Sequence, residues 1–206
     1  MLAAMSKLDL KKEMKQLYTA PADAVVEITV PAANYLMIDG KGDPNTSHEY
    51  REAVEALFSV AYPLKFAVRK KEGIDYGVMP LEGLWWIEGG KPFQRENKNS
   101  WRWTAMILQP EFVTKQLFEE VLQEVKKKKK LPALPLLRME RYAEGKVVQT
   151  MHHGPYSEED PTIARLHKHA QDQGYTLAGK HHEIYLNTPD RTAPEKLKTI
   201  LRQPVR

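Results

Sequence analysis

The chain of 206 residues has a formal charge of +4, is 42 % hydrophobic and 28 % charged, and contains no cysteine. That length suits one large domain or two closely joined small ones, and the missing thiols exclude disulfides, thiolate metal sites and cysteine nucleophiles. The first apolar run, Met1 to Met5, is shorter than the roughly 7–15 residues of a secretory signal or the about 20 of a membrane span. A cytoplasmic protein with no membrane partner is therefore expected.

In chain order, Leu8, Leu10, Met14 and Leu17 follow helical spacing, and Ser6 and Asp9 are candidate caps. Together they predict a short surface helix over about 6–18. Residues 24–30 and 34–39 are rich in β-branched and apolar side chains on either side of a turn at Pro31, which predicts two strands. Tyr50, Val54, Leu57, Phe58, Ala61 and Leu64 recur at three- and four-residue spacing in a helix over 47–69. Pro63 predicts a kink there, or two helical pieces. Residues 81–85 read as a strand carrying Glu82, and residues 87–100, rich in Gly, Lys and Asn, as a loop. Leu117, Phe118, Val121, Leu122 and Val125 mark an amphipathic helix that ends in the run Lys126 to Lys130. Lysines complement the carbonyl-rich end of a helix, and Pro132 stops it. With no zinc-finger, basic-zipper or RNA-recognition motif, that run reads as a solvated helix end, and nucleic acid is not an expected partner. A strand over 147–154, a helix beginning near Glu158 or Glu159 and ending at Gly174, and strands over 182–186 and 200–204 complete the chain.

These elements occur twice in the same order. A strand, a glycine turn, a helix, an acid-bearing strand and a segment ending in Gln-Pro run over about 20–112 and again over about 134–206. The predicted fold is α+β: internally duplicated strand-helix-strand-strand units, with antiparallel sheets around a pseudo-twofold ligand cleft, in a single domain over 1–206.

Two features point to chemistry in such a cleft. Tyr76, Trp85, Trp86, Trp101 and Trp103 lie close in sequence and include every tryptophan. Flat rings around a cavity suit planar or cationic ligands, although burial alone also makes aromatics common in cores. In the strand His182-Glu183-Ile184-Tyr185-Leu186, alternation puts Glu183 and Tyr185 on one face. If Ile184 and Leu186 cover the core helix, Glu183 and Tyr185 face the cleft. The repeat places Glu82 at the matching position. A carboxylate among rings acts as a proton donor or acceptor, or attracts a ligand cation; an exposed strand glutamate is the ordinary alternative. The candidate catalytic pair is Glu183 and Tyr185, and the candidate ligand wall is Glu82, Trp85, Trp101, Trp103, Tyr35, Tyr76 and Tyr156. The paired histidines His152-His153 and His181-His182 diverge on strands, and no zinc spacing or nucleotide signature occurs, so neither a metal nor a cofactor is expected.

The run GDPNTSHEYREAVEALFSVAY, the strand YGVMPLEGLWW, the segment WRWTAMILQPEFVT and the closing GKHHEIYL and KLKTILRQPVR together resemble the GyrI-like small-molecule-binding family, especially its stand-alone branch. The likeness extends from about Leu8 to Arg206. It implies a duplicated strand-helix-strand-strand fold with a ligand cleft at the pseudo-twofold, and a small-molecule ligand. Related domains are effector-binding modules of multidrug-responsive activators, in which a buried glutamate meets cationic, aromatic drugs; Glu183 matches that glutamate. The chain shows no DNA-binding extension, so a complete activator is not expected. Some stand-alone members hydrolyse the strained cyclopropane of DNA-alkylating antibiotics of the yatakemycin and duocarmycin kind. For these the resemblance implies rings gripping a flat substrate while a glutamate and a tyrosine assist water attack, roles that fall to Glu183 and Tyr185, with Glu82 a second acid.

Overall fold

A computed structural model describes residues 6–89 and 98–206. The N-terminal segment comprises strand β1 (Ser6–Leu8) and two single-turn helices, α1 (Leu10–Glu13) and α2 (Lys15–Tyr18). Asp9 caps α1 by accepting from the Lys12 amide. The expected single surface helix is thus broken at Met14, and the segment packs on the domain through the buried Leu10, Leu17 and Tyr18.

Strands β2 (Val26–Val30) and β3 (Ala33–Lys41) precede the long helix α3 (His48–Glu72). Ser47 caps α3 by accepting from the Tyr50 amide, and Gly73, at φ 68°, closes it in the left-handed conformation. Pro63 sits inside α3 without dividing it into two pieces. An interior proline costs about 3 kcal/mol. Seven residues of α3 are buried, from Ala53 to Val68, and each large apolar side chain buried stabilises by about 1.5–3 kcal/mol, so the burial outweighs the proline.

Next come β4 (Ile74–Tyr76), β5 (Glu82–Ile87), a 3-10 turn at Lys98–Ser100 and β6 (Trp101–Gln109). The middle of the expected loop over 87–100 lies outside the described residues. Helix α4 (Lys115–Lys128), capped by Thr114, leads through a 3-10 turn at Leu134–Leu136 to β7 (Arg138–Tyr142) and β8 (Gly145–His153). Helix α5 (Asp160–Asp172), β9 (His181–Tyr185) and β10 (Lys198–Pro204) end the chain.

Among the described residues, eight strands form one sheet in the order β2-β8-β10-β9-β5-β6-β3-β7, every neighbour antiparallel. The separate sheets expected for the two halves are one sheet, joined where β5 pairs with β9. Read outward from that junction, each side runs acid-bearing strand, Gln-Pro strand, glycine-turn strand: β5, β6, β3 and β9, β10, β8. A second, two-stranded parallel sheet pairs β1 with β4.

Side chains of directly paired residues share a face. Trp85 pairs with Trp103 and His181, and Gly83 with Glu183. Helix α3 packs on this face through Tyr50, and α5 packs on it through Ile163, Leu166 and Ala170 against Val148 and Leu201. Glu82 pairs with Ile184 on the opposite face, where Tyr18 and Leu17 of the N-terminal segment are bound. Ile184 was expected to meet the core helix; instead it is buried on the face away from α3 and α5.

Candidate functional site

On the helix-bearing face, β9 presents Glu183 and Tyr185 side by side, the spacing that strand alternation requires. The Tyr185 hydroxyl donates to Glu183 Oε2 at 2.7 Å, and Trp85 Nε1 donates to the Tyr185 hydroxyl at 3.2 Å. Gly83, directly across from Glu183, makes this chain possible. The Trp85 indole folds over it so closely that a Cβ there would stand 2.7 Å from Nε1. His181 Nε2 approaches the other Glu183 oxygen at 3.5 Å.

Rings surround the carboxylate. Tyr50 of α3 meets Trp85 at 5.7 Å and Trp103 edge-on at 5.0 Å, and Trp101 stands edge-on to Trp85 at 5.5 Å. Tyr156, in the turn before α5, stands edge-on to Tyr185 at 5.4 Å. The tryptophans are buried and Glu183 is only 6 % exposed, whereas Tyr50, Tyr156 and Tyr185 each keep a partly exposed edge. The acid therefore lies beneath tyrosines that are themselves half-buried. Burial around its hydroxyl, then the nearby Glu183 charge, pushes the Tyr50 pKa up. Burial and Glu183 raise Tyr185 well above its usual value, and burial, Glu159 and Glu183 lift Tyr156 to about 12. These phenols stay protonated at neutral pH, as hydrogen-bond donors beside a carboxylate.

The opposite face carries a second polar cluster. His182 lies between two carboxylates, Nδ1 at 2.9 Å from Glu144 and Nε2 at 2.9 Å from Glu82. With both carboxylates ionised, both ring nitrogens donate and the imidazole is charged. Burial alone would lower its pKa, but Glu144 and Glu82 outweigh that and hold it above its ordinary value. Arg202 binds Glu144 at 3.1 Å, the Gln149 side chain at 3.0 Å and the Leu17 carbonyl at 2.7 Å. Tyr18 donates to Glu82 at 2.7 Å, and Gln149 donates to the Gln16 and Thr19 carbonyls. Two carboxylates, one imidazolium and one guanidinium balance to zero, all essentially out of solvent.

The structure thus brings Glu183, Tyr185, Trp85, Trp101, Trp103 and Tyr156 together and leaves three expected wall residues elsewhere. Glu82 and Tyr35 lie on the opposite face, because Glu82 pairs with Ile184, and Tyr35 with Leu108 on the side that Met37 and Met106 share with Glu82. The one-residue offset between Glu82 and the partner of Glu183 turns Glu82 away. Tyr76 belongs to the small parallel sheet, with its ring edge-on to Phe112 at 5.6 Å. Trp86 also faces away from Trp85, with Lys180 Nζ 3.5 Å from its ring centre. Sequence reasoning missed Tyr50, taken as one more apolar position of α3, and Glu159, a buried acid at the start of α5 whose charge is felt by both Tyr156 and Tyr185. It also missed the cluster around His182, whose members lie far apart in the chain. His181 and His182 point to opposite faces, and among the described residues no group of three or more His, Asp or Glu could hold a metal ion. No described helix is long and apolar enough to cross a membrane.

The family model described as a GyrI-like small molecule binding domain matches residues 23–206. Among solved structures, an uncharacterized conserved protein from Listeria innocua is 42 % identical, with a TM-score of 0.88, 97 % of this chain and 100 % of that chain covered. Two structures from Listeria innocua described as hydrolases are also similar. One is 41 % identical with a TM-score of 0.84, covering 98 % of this chain and 100 % of that one. The other is 38 % identical with a TM-score of 0.83, covering 97 % and 100 %. No curated protein matches.

Proposed function

We propose that this chain, which belongs to the GyrI-like small-molecule-binding family, binds a small aromatic or cationic organic molecule on the helix-bearing face of its sheet. The observation that carries this reading is the Glu183–Tyr185–Trp85 chain beneath the partly exposed Tyr50 and Tyr156. Glu183 supplies a charge for a ligand cation, and the rings supply flat walls. Each cation–π contact contributes about 0.5–2 kcal/mol, and ring faces tolerate many shapes, which suits recognition of the multidrug type. The mirrored strand order about the β5–β9 junction supports an internal duplication, with the site beside its axis. Titration with planar cationic dyes, followed by tryptophan fluorescence, tests the reading. Saturable quenching is expected; its absence with every such dye counts against it.

A second reading is hydrolysis, favoured by the full-length likeness to two Listeria innocua hydrolases. Here Glu183 accepts a proton from water as the water oxygen bonds to a carbon of an electrophilic cyclopropane, while Tyr185 holds the carboxylate in place. The ring C–C bond breaks, its electron pair passes into the conjugated carbonyl of the substrate, and that oxygen takes up a proton from solvent. The ring-opened, water-added product should appear by mass spectrometry when protein meets a cyclopropane-bearing alkylator, and Glu183→Gln should abolish it. An undiminished rate in that variant removes Glu183 from the chemistry.

A further inference from the structure

Helix α3 carries an aromatic stripe on its outer side that the ligand site does not use. Phe58, Tyr62 and Phe66 follow one another at four-residue spacing, so they share a face of the helix. The Phe58 and Tyr62 rings lie 6.1 Å apart. Tyr62 is 50 % exposed and Phe66 55 %. Among the described residues, the third exposed large apolar side chain is Leu136, in the turn at Leu134–Leu136 that packs against α3. Exposed apolar side chains gathered on one element signal a contact surface, whereas scattered ones do not.

Beside the stripe, α3 and the end of α4 enclose a groove of about 400 Å³. Its apolar lining is Phe58, Tyr62, Pro63 and Val125, and its charged lining includes Lys128 and Lys129 against the single acid Glu55. Lys129 reaches across from α4 to the Ser59 hydroxyl, 3.0 Å away, and Lys128 makes a 3.6 Å pair with Glu124 that is largely exposed. Exposed pairs of this kind contribute at most about 1 kcal/mol, so both ammonium groups stay available to an incoming anion. The neighbouring lysines in the chain, Lys126, Lys127 and Lys130, are also exposed and add to the positive charge at this end of α4. An apolar trough bounded by cations is complementary to a chain that alternates apolar anchors with carboxylates.

We infer that the α3–α4 groove docks an acidic amphipathic peptide segment of a partner protein, its apolar side chain on Tyr62 and Phe58 and its carboxylates on Lys128 and Lys129. The lysine run then has a role beyond neutralising a helix end. An amphipathic helix with anchors three or four residues apart is the form that lays one apolar face along such a groove. The site is separate from Glu183 and stands or falls independently of the proposed ligand.

The test uses the intact protein and a short fluorescein-labelled peptide of Glu, Leu and Phe, with two controls: Lys in place of Glu, and Ala in place of Leu and Phe. Fluorescence anisotropy should show saturable binding of the acidic apolar peptide alone. Tyr62→Ala, at a half-exposed position that leaves the core intact, should weaken binding about tenfold, as loss of a central aromatic anchor does. Lys128→Glu combined with Lys129→Glu should weaken it further and remove its salt dependence. Glu183→Gln should leave it unchanged. The inference is overturned if the acidic peptide does not bind, if the basic control binds equally, or if Tyr62→Ala has no effect. It is also overturned if phosphatidylserine vesicles or duplex DNA displace the peptide from the lysines, or if the groove is closed by a second copy in a concentration-dependent dimer.

Discussion

The two faces of the sheet at the β5–β9 junction solve opposite problems with similar residues. Each carries a buried acid and a buried histidine with tyrosine beside them. Beneath the N-terminal segment, Glu82, Glu144, His182, Arg202, Tyr18 and Gln149 bind one another and the main chain, and charge balances within the cluster. On the helix-bearing face Glu183 has His181, tyrosines and tryptophans around it, and the tyrosines Tyr50, Tyr156 and Tyr185 are half-buried. A closed network ties distant segments together, because a buried charge is tolerable only with partners in place. Two buried acids on one pair of strands thus differ in their surroundings, ionic partners for Glu82 and aromatic rings for Glu183, and burial alone does not set them apart.

Substitutions can break this contrast. The largest effect is expected at Arg202. Arg202→Ala strips a partner from Glu144 and a donor from the Leu17 carbonyl. Stability measured by urea unfolding should fall by about 3–5 kcal/mol, with dye binding by the remaining folded protein little changed. Gly83→Ala acts on the other face by pushing a methyl into the Trp85 indole. A loss of about 1–3 kcal/mol is expected from overpacking, together with a shifted tryptophan emission as Trp85 leaves Tyr185. Glu183→Gln should reverse the pattern seen at Arg202: it keeps an acceptor for Tyr185 and so the fold, but weakens a cationic dye by about tenfold, or about 1.4 kcal/mol.

The smallest effect is a pH dependence that belongs to the closed face. The pKa of His182 is raised in the folded protein, so its contribution is fully present below the unfolded value and is lost as pH rises through the folded one. Burial raises the Glu144 pKa, but His182 and Arg202 outweigh it and hold it low. Its contribution is present above the ordinary carboxylate range and is lost as pH falls through the folded value. Urea midpoints across pH should therefore decline on both sides. His182→Gln should lose the alkaline decline and be less stable throughout. A parent protein whose midpoint does not fall on the alkaline side would show that His182 carries no proton in the folded state.

Several structural facts were legible residue by residue. Asp9 caps α1, as its place before an apolar-periodic run suggested, while the other expected cap, Ser6, lies in β1; Glu183 and Tyr185 share a face because strand side chains alternate. Pairing Glu82 with Glu183 failed, although both stand in the acid-bearing strands, because the ladder sets Gly83 across from Glu183. Tyr76 was grouped with the tryptophans by nearness in sequence, yet β4 departs to pair with β1.

Local chemistry within a few residues therefore determined the caps, the helical stripes and the alternation along each strand, since these depend on backbone geometry that neighbouring side chains select. Only the tertiary structure decided which face α3 and α5 cover, and with it whether Glu183 or Glu82 meets the aromatic wall. That choice is made by the register between β5 and β9, residues about a hundred positions apart, and a shift of one residue exchanges the two faces. The same long-range pairing draws Tyr18 to Glu82, and Glu144 to both His182 and Arg202. Their charges can be buried only where all of them converge, and no local pattern in the chain marks a convergence of segments so far apart.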